Sequence, residues 1–371
     1  MSVRIAPATI PISALQLGPE VEELVLSVLR SGRLAQGPMV ERFERLCCEM
    51  ADTAHAVAVS NGTVALEAAL EVCDVQPGDE VITAPFTFAA TINAILRRGA
   101  VVRFADITTD FTVDPESVAA LIGPRTAALM PVHLFGLMAD MESLSVVAER
   151  HGLALIEDAA QAHGAEQHGR RAGSYGVGSF SFYATKNVTA GEGGCVTTND
   201  RAIAERLRVL RHQGMRERYQ YVAIGLNWRM TDVAAAIAIP QLQRLAERNE
   251  QRRHNAARLS ALLGADGRVV VPRIPAGRTH VWHQYTVLLP EGCDRNAVVS
   301  AMAREGVQTG VYYPRLVWDY PPYRNHPDVH RSDTPFAAAA AERCLSLPVH
   351  PALDEHDLER VAAALTEALP S

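Results

Sequence analysis

No two cysteines stand at CxxC spacing, no block of lysines or arginines occurs, and no apolar run approaches the roughly 18 residues a membrane-spanning helix needs. Each absence removes a class of function. The six cysteines, Cys47, Cys48, Cys73, Cys195, Cys293 and Cys344, read as reduced thiols of a cytoplasmic protein rather than a disulfide frame. A net charge of −7, from 35 Lys+Arg and 42 Asp+Glu, without a basic block argues against nucleic acid as a partner but leaves room for a local anion site. Residues 1–18 have no sustained apolar core behind a basic start, so neither export nor membrane anchoring is expected. Low-complexity tracts and internal repeats are missing too. The one glycine pattern resembling a nicotinamide fingerprint, "GSYGVG" at 173–178, has the wrong order and no strand-helix context.

What is present is an ordinary globular composition, 48% hydrophobic and 21% charged over 371 residues, enough for two domains and a substantial core. From about residue 54 to 199, short β-branched runs ("AHAVAVS", "EVITAP", "VVRFADI", "TAALMPVHL", "LALIEDAA", "GSFSFYAT", "GCVTTND") alternate with helix-period segments such as "TVALEAALEVC" and "TFAATINAILRRG". That alternation predicts an α/β domain with a largely parallel sheet. Two helical stretches follow, the second with Pro240 as an expected kink; then come a strand ("WHQYTVLLP"), a helix, a strand ("VQTGVYYP") and a final helix behind an acidic cap. The boundary is placed between a large domain, 1–249, and a smaller C-terminal α/β domain, 250–371.

Three stretches carry chemistry. In "SNGTVALEAAL" a strand ends and a helix begins at Gly62 and Thr63; the helix amides form an anion site suited to phosphate, and a plain cap, with Thr63 satisfying the first donors, fits the same residues. In "LALIEDAAQAHGA" Asp158 closes an apolar strand, where it either faces a cation or caps the next turn. In "SFSFYATKNVTAGEGG" Lys186 stands as a single positive charge just past a strand end. An amine, a carboxylate and a phosphate-type helix terminus together match what pyridoxal 5'-phosphate requires: an amine to condense with the aldehyde, a carboxylate to keep the pyridine nitrogen protonated, and donors for the phosphate. The pairs His280/His283 and His326/His330 lack companion ligands, so no metal is expected.

The motifs "SNGTVAL", "TAPFTFAATINAILRRGA", "PVHLFG", "IEDAAQAHGA", "SFSFYATKNVTAGEGG" and "GLNWRMTDVAAA" occur in the order found in the DegT/DnrJ/StrS sugar aminotransferases, which the chain resembles over nearly its whole length. The resemblance implies the fold of aspartate aminotransferase (fold type I), with a large domain built on a mixed, mostly parallel sheet flanked by helices. It implies catalytic Lys186, which carries the cofactor, and Asp158, which pairs with its ring nitrogen. Gln161 would bond the ring hydroxyl, Gly62, Thr63 and Ser181 the phosphate, and Phe88 and Ala160 the two ring faces. Asn227 would reach the phosphate of the neighbouring subunit, so that a homodimer shares its active sites. His163, Tyr183, Arg229 and Tyr313 are the implied substrate contacts, Arg229 lying near the substrate or the donor carboxylate.

The implied reaction moves an amino group from L-glutamate to a keto group of a nucleotide-linked deoxysugar, with the C4 ketone of a dTDP-4-keto-6-deoxyhexose first, in amino-sugar biosynthesis for an antibiotic or a surface glycan. A C3-ketosugar and a cyclitol are the alternatives among substrates, and a non-catalytic pyridoxal-phosphate-binding regulator is the alternative outside catalysis. The dehydratase branch of the same fold carries histidine where this chain has Lys186. Trp318 and Asp319 stand where the family commonly has a histidine.

Overall fold

The computed structural model describes residues 9–370; the first eight residues of the stretch read for a leader lie outside the described residues. All seven strands expected between residues 54 and 199 form, and with one later strand they build an eight-stranded sheet. From edge to edge it runs His55–Val59, Gly194–Thr198, Val177–Ser181, Ala154–Asp158, Thr126–Leu129, Glu80–Thr83, Val101–Phe104 and Val329–His330. Only Gly194–Thr198 runs against the direction of the other seven strands. Every residue of Val177–Ser181 and Gly194–Thr198 is buried, as expected of strands covered on both faces.

Several helices start on a residue whose side-chain oxygen accepts from their first amides. Asp114, Asp140, Asp200, Thr231 and Asp294 each accept from an amide of the turn they open. The last helix, Glu355–Ala368, begins with a reciprocal capping box between Asp354 and Asp357.

Three features depart from the sequence pattern. The long helical stretch breaks at Arg244, between Asp232–Gln243 and Leu245–Gly264, and Pro240 is accommodated inside the first of the two. The run "VQTGVYYP" forms no ladder: Val307 bridges Ile10 and Gly310 bridges Ser346, so the chain changes partner before two successive residues can share one. Packing also crosses the sequence position 249/250. Tyr313, Leu316, Val317, Trp318, Ala337 and Ala340 join the core around the large sheet, and Val329–His330 pairs with Val101–Phe104 at its edge. A second core surrounds the antiparallel pair Tyr285–Leu288 and Cys344–Leu347 and takes in Ile10 from the N-terminal segment.

Candidate active site

Three strands deliver their C-terminal ends to one edge of the large sheet. His55–Val59 leads through Ser60 and Asn61 into the helix Gly62–Val72; Ala154–Asp158 ends on Asp158; Val177–Ser181 ends on Ser181, five residues before Lys186. This is the edge at which open α/β sheets gather ligands.

At the helix start, Asn61 Oδ1 accepts from the Val64 amide at 2.9 Å and the Asn61 carbonyl accepts from Ala65 at 3.1 Å. Capping is therefore done by Asn61 rather than Thr63. The amides of Gly62 and Thr63 make no hydrogen bond among the described residues, leaving two donors at the positive end of the helix dipole. A Cβ on Gly62 would sit 2.6 Å from Ser181 Cβ and 3.0 Å from its Oγ. Glycine is required there by the closeness of the two strand ends, and the same closeness brings the Ser181 hydroxyl to the helix terminus.

Asp158 is 5% exposed. Its Oδ2 accepts from the Thr91 hydroxyl at 2.9 Å, and its Oδ1 accepts a longer bond, 3.3 Å, from the Ala160 amide. Burial pushes the carboxyl above its ordinary range, while Thr91, Ala160, Lys186 and His133 pull it back. Thr91 lies in the first turn of the helix Ala89–Arg97 and hydrogen-bonds Thr87 as well, at 2.9 Å. Phe88 is the residue that opens this helix, and it is 64% exposed beside the carboxylate that Thr91 holds.

Lys186, the only lysine in the chain, is half-buried in a turn closed by its amide on the Tyr183 carbonyl at 3.0 Å. Burial lowers its amine to about 8, against the opposing attraction of Asp158. The amine is therefore mostly charged at neutral pH but loses its proton far more readily than an ordinary lysine. The next residue, Asn187, donates to the Val281 carbonyl at 2.9 Å and faces His283 Nδ1 at 3.3 Å, which pins the lysine turn to the segment leading into the smaller core.

Gln161 is fixed at both ends of its amide, accepting from the Phe135 amide at 2.6 Å and donating to the Tyr313 hydroxyl at 2.9 Å. Tyr313 itself is buried and packs edge-on against Phe86. His163 is fully buried between Phe180 and Phe182, its ring nitrogens lack a hydrogen-bond partner of good geometry, and burial lowers it to about 3, so it is neutral. Tyr183 is 47% exposed, whereas Trp318 packs on Phe104 in the core.

Asn227 and Arg229 are not gathered with these residues in the same chain. Arg229 hydrogen-bonds His212 at 2.9 Å and lines an open cavity of 1320 Å³ with Arg206, Arg208 and Arg216. It makes no ion pair among the described residues, so the surface salt bridge common for an arginine is not its fate here. Just before it, Tyr219, Tyr221, Val222, Ile224 and Leu226 expose a run of apolar side chains, Ile224 being 95% exposed. Among the described residues no group of three His, Cys, Asp or Glu side chains gathers as a metal site, and no helix is long and apolar enough to cross a membrane.

Sequence reasoning missed Thr91 and the buried pair His133/Glu157. The signal for Thr91 was a hydroxyl in the first turn of an otherwise apolar helix. Glu157 accepts from the amides of Gly173, Tyr175 and Gly176 at 2.9, 2.7 and 3.2 Å and contacts His133 Nε2 at 3.0 Å. Since His133 Nδ1 accepts from the Ala139 amide, Nε2 carries the proton and donates to Glu157.

The donor set fits pyridoxal phosphate. A cradle that a Cβ on Gly62 would fill, two unused helix amides, a buried carboxylate with acceptor capacity left and a half-buried amine surround one sheet edge. Comparison with known proteins agrees. The family profile described as "DegT/DnrJ/EryC1/StrS aminotransferase family" matches residues 16–366. A "pleiotropic regulatory protein" of Geobacillus stearothermophilus is 39% identical over 95% of both chains. A UDP-N-acetyl-3-dehydro-alpha-D-glucosamine 3-aminotransferase of Acidithiobacillus ferrooxidans is 39% identical over 86% of both. The crystal structure of DesV from S. venezuelae, in complex with a ketimine intermediate, superposes with a TM-score of 0.89 at 38% identity over 94% of each chain. The chain thus belongs to the DegT/DnrJ/EryC1/StrS aminotransferase family and is a pyridoxal-phosphate-dependent transferase of the sugar aminotransferase kind.

Proposed function

We propose that the enzyme transfers the amino group of L-glutamate to the ketone of a nucleotide-linked deoxysugar, with C4 of a dTDP-4-keto-6-deoxyhexose as the first candidate. The observation that carries this reading is the convergence of Lys186, Asp158 and the Gly62 helix terminus on one sheet edge. Pyridoxal phosphate supplies a protonated ring that accepts the electron pair left when the donor α-carbon loses its proton.

The side chains have separate tasks. Gly62 and Thr63 amides and the Ser181 hydroxyl hold the phosphate. Asp158 holds the proton on the ring nitrogen, and the Thr91 hydroxyl orients that carboxylate. Gln161, its amide fixed by Phe135 and Tyr313, meets the ring hydroxyl, while Phe88 and Ala160 enclose the ring faces. Lys186 would hold the cofactor, and its Nζ, when free, would take the donor α-carbon proton and deliver it to the cofactor carbon that receives the nitrogen. A nitrogen lowered to about 8 is matched to that shuttle near neutral pH. Tyr183 and Tyr313 border the substrate end, whereas His163, expected there as a substrate contact, is enclosed by Phe180 and Phe182 with no exposed surface to offer one.

Asn227 and Arg229 act on the site of a second copy, so the working unit is a homodimer. Arg229 lines a cavity that Lys186 does not line, and an exposed apolar run stands beside it; both support this. A C3 ketone is the second reading, favoured by the relative named for 3-amination. The relative named as a regulator keeps a non-catalytic role in view, and turnover with glutamate separates the two. The test is a panel of 3-keto and 4-keto nucleotide sugars with glutamate, the new nitrogen located by NMR. Amination of no ketosugar, by a yellow preparation whose colour borohydride abolishes, would refute the substrate class while leaving the cofactor assignment standing.

A further inference from the structure

Arg252 is a buried cation without a carboxylate. It lies in the helix Leu245–Gly264, is 8% exposed, and makes one hydrogen bond, from Nη1 to the Trp282 carbonyl at 2.9 Å. No ion pair reaches it among the described residues. One turn earlier on the same helix stands a second cation, Arg248, which donates to the Gln16 carbonyl at 2.7 Å. Burial and Arg248 push the Arg252 guanidinium down to about 10, which leaves it charged at neutral pH. An unpaired charge held out of water is strongly disfavoured unless something compensates it.

Two voids of about 20 Å³ each lie against this guanidinium, under the segment 12–16, and share Ser13, Thr185 and Arg252. Neither is lined by an aspartate or glutamate. Ser13, Thr185 and Tyr312 line the crevice from its solvent-exposed side, and their hydroxyls make no hydrogen bond among the described residues, so they are available to a bound group. Gln284, 8% exposed and lining the same crevice, has an Oε1 that receives no donor; its amide can turn to present NH₂ instead. A void of this size admits one water-sized group, which excludes a phosphate, a sugar or an amino acid.

We propose that this crevice binds one small monovalent anion of halide size, which pairs with Arg252 and ties the 12–16 segment to the helix beneath it. Lys186 and Arg248 line one of the two voids as well, so the crevice adjoins the cofactor lysine, but anion binding there does not depend on which sugar the enzyme aminates.

The experiment is thermal unfolding of the holoenzyme in halide-free buffer with added sodium chloride or sodium gluconate at equal ionic strength. The midpoint should rise by a few degrees and saturate with chloride, and gluconate, too large to enter, should not reproduce the rise. Arg252→Gln should lose the saturable rise. Gln284→Glu, which places a carboxylate in the crevice, should unfold at the same midpoint with or without chloride. If Arg252→Gln does not fold, Gln284→Glu decides alone. Equal responses to the two salts, or a chloride response retained in Gln284→Glu, would overturn the proposal. Crystals soaked in bromide should show an anomalous peak within hydrogen-bonding reach of the Arg252 guanidinium, and peaks confined to the surface would count against it.

Discussion

Because Lys186 is the only lysine in the chain, lysine labelled with ¹³C at Cε gives one side-chain signal, and the titration of a single amine can be followed directly. In the cofactor-free protein its midpoint should fall near 8 instead of the ordinary 10.5. The folded state then gives up this proton earlier than the unfolded state does. Between pH 8 and 10.5 the unfolded chain binds more protons, so stability rises with pH across that window. The penalty for a buried ammonium is fully present below pH 8 and gone above 10.5. A difference of 2.5 pH units corresponds to about 3 kcal/mol at most, and less here because water still reaches the half-buried side chain. Lys186→Met should therefore make the cofactor-free protein more stable in urea at pH 7, with the gain fading toward pH 10.5. Asp158→Asn should move the lysine midpoint further down, since the carboxylate is what opposes the desolvation. A midpoint at 10.5, or a Lys186→Met variant less stable than the parent at pH 7, would refute the reasoning.

Gly62→Ala drives a methyl to 2.6 Å from Ser181 Cβ, and should raise the dissociation constant for pyridoxal phosphate at least about tenfold, read from the visible band during titration. An unchanged constant would place the phosphate elsewhere. Thr91→Val removes a hydrogen bond to a buried carboxylate, roughly 1.5–3 kcal/mol, so kcat/KM should drop about 10- to 100-fold and Thr91→Ser should recover most of it. Lys186→Ala and Asn227→Ala, each inactive alone, should regain up to about a quarter of the sites' activity when unfolded and refolded together, because half the dimers are hybrids with one intact site. No recovery would confine both residues to one chain's site.

The sheet and its helices were legible because the apolar runs are short, β-branched and closed by Asp158, Ser60 or the loosening into glycine before Gly194. Local chemistry at those closures exposed Lys186, Asp158 and Gly62. Pairwise facts were not legible. Nothing in "FAATINAIL" tells that Thr91 points at a carboxylate 67 positions later. The return of residues 313–341 to the large core escapes a linear reading because Leu316, Val317 and Ala337 look the same whichever core they join. "VQTGVYYP" has a strand's composition, but a ladder needs a partner in register, and the two candidate partners lie in different segments. Arg252 is one arginine among many until its surroundings show that no acid accompanies it.

Glu157 and Asp158 show why neighbouring carboxylates in one strand carry different duties. Alternation along a strand sends them to opposite faces of the sheet. Glu157 meets three backbone amides and a histidine N–H, which occupy the acceptor capacity of both its oxygens. Asp158 meets one hydroxyl and one long amide contact, and burial disfavours its charge. Only the second has lone pairs left for an added donor and an energetic reason to take a cation. Replacing the Thr91 hydroxyl by more amides would satisfy Asp158 as Glu157 is satisfied, and would remove the unmet demand that a protonated pyridine answers. The tight carboxylate secures the sheet, and the under-served one is the group with something to gain from a ligand.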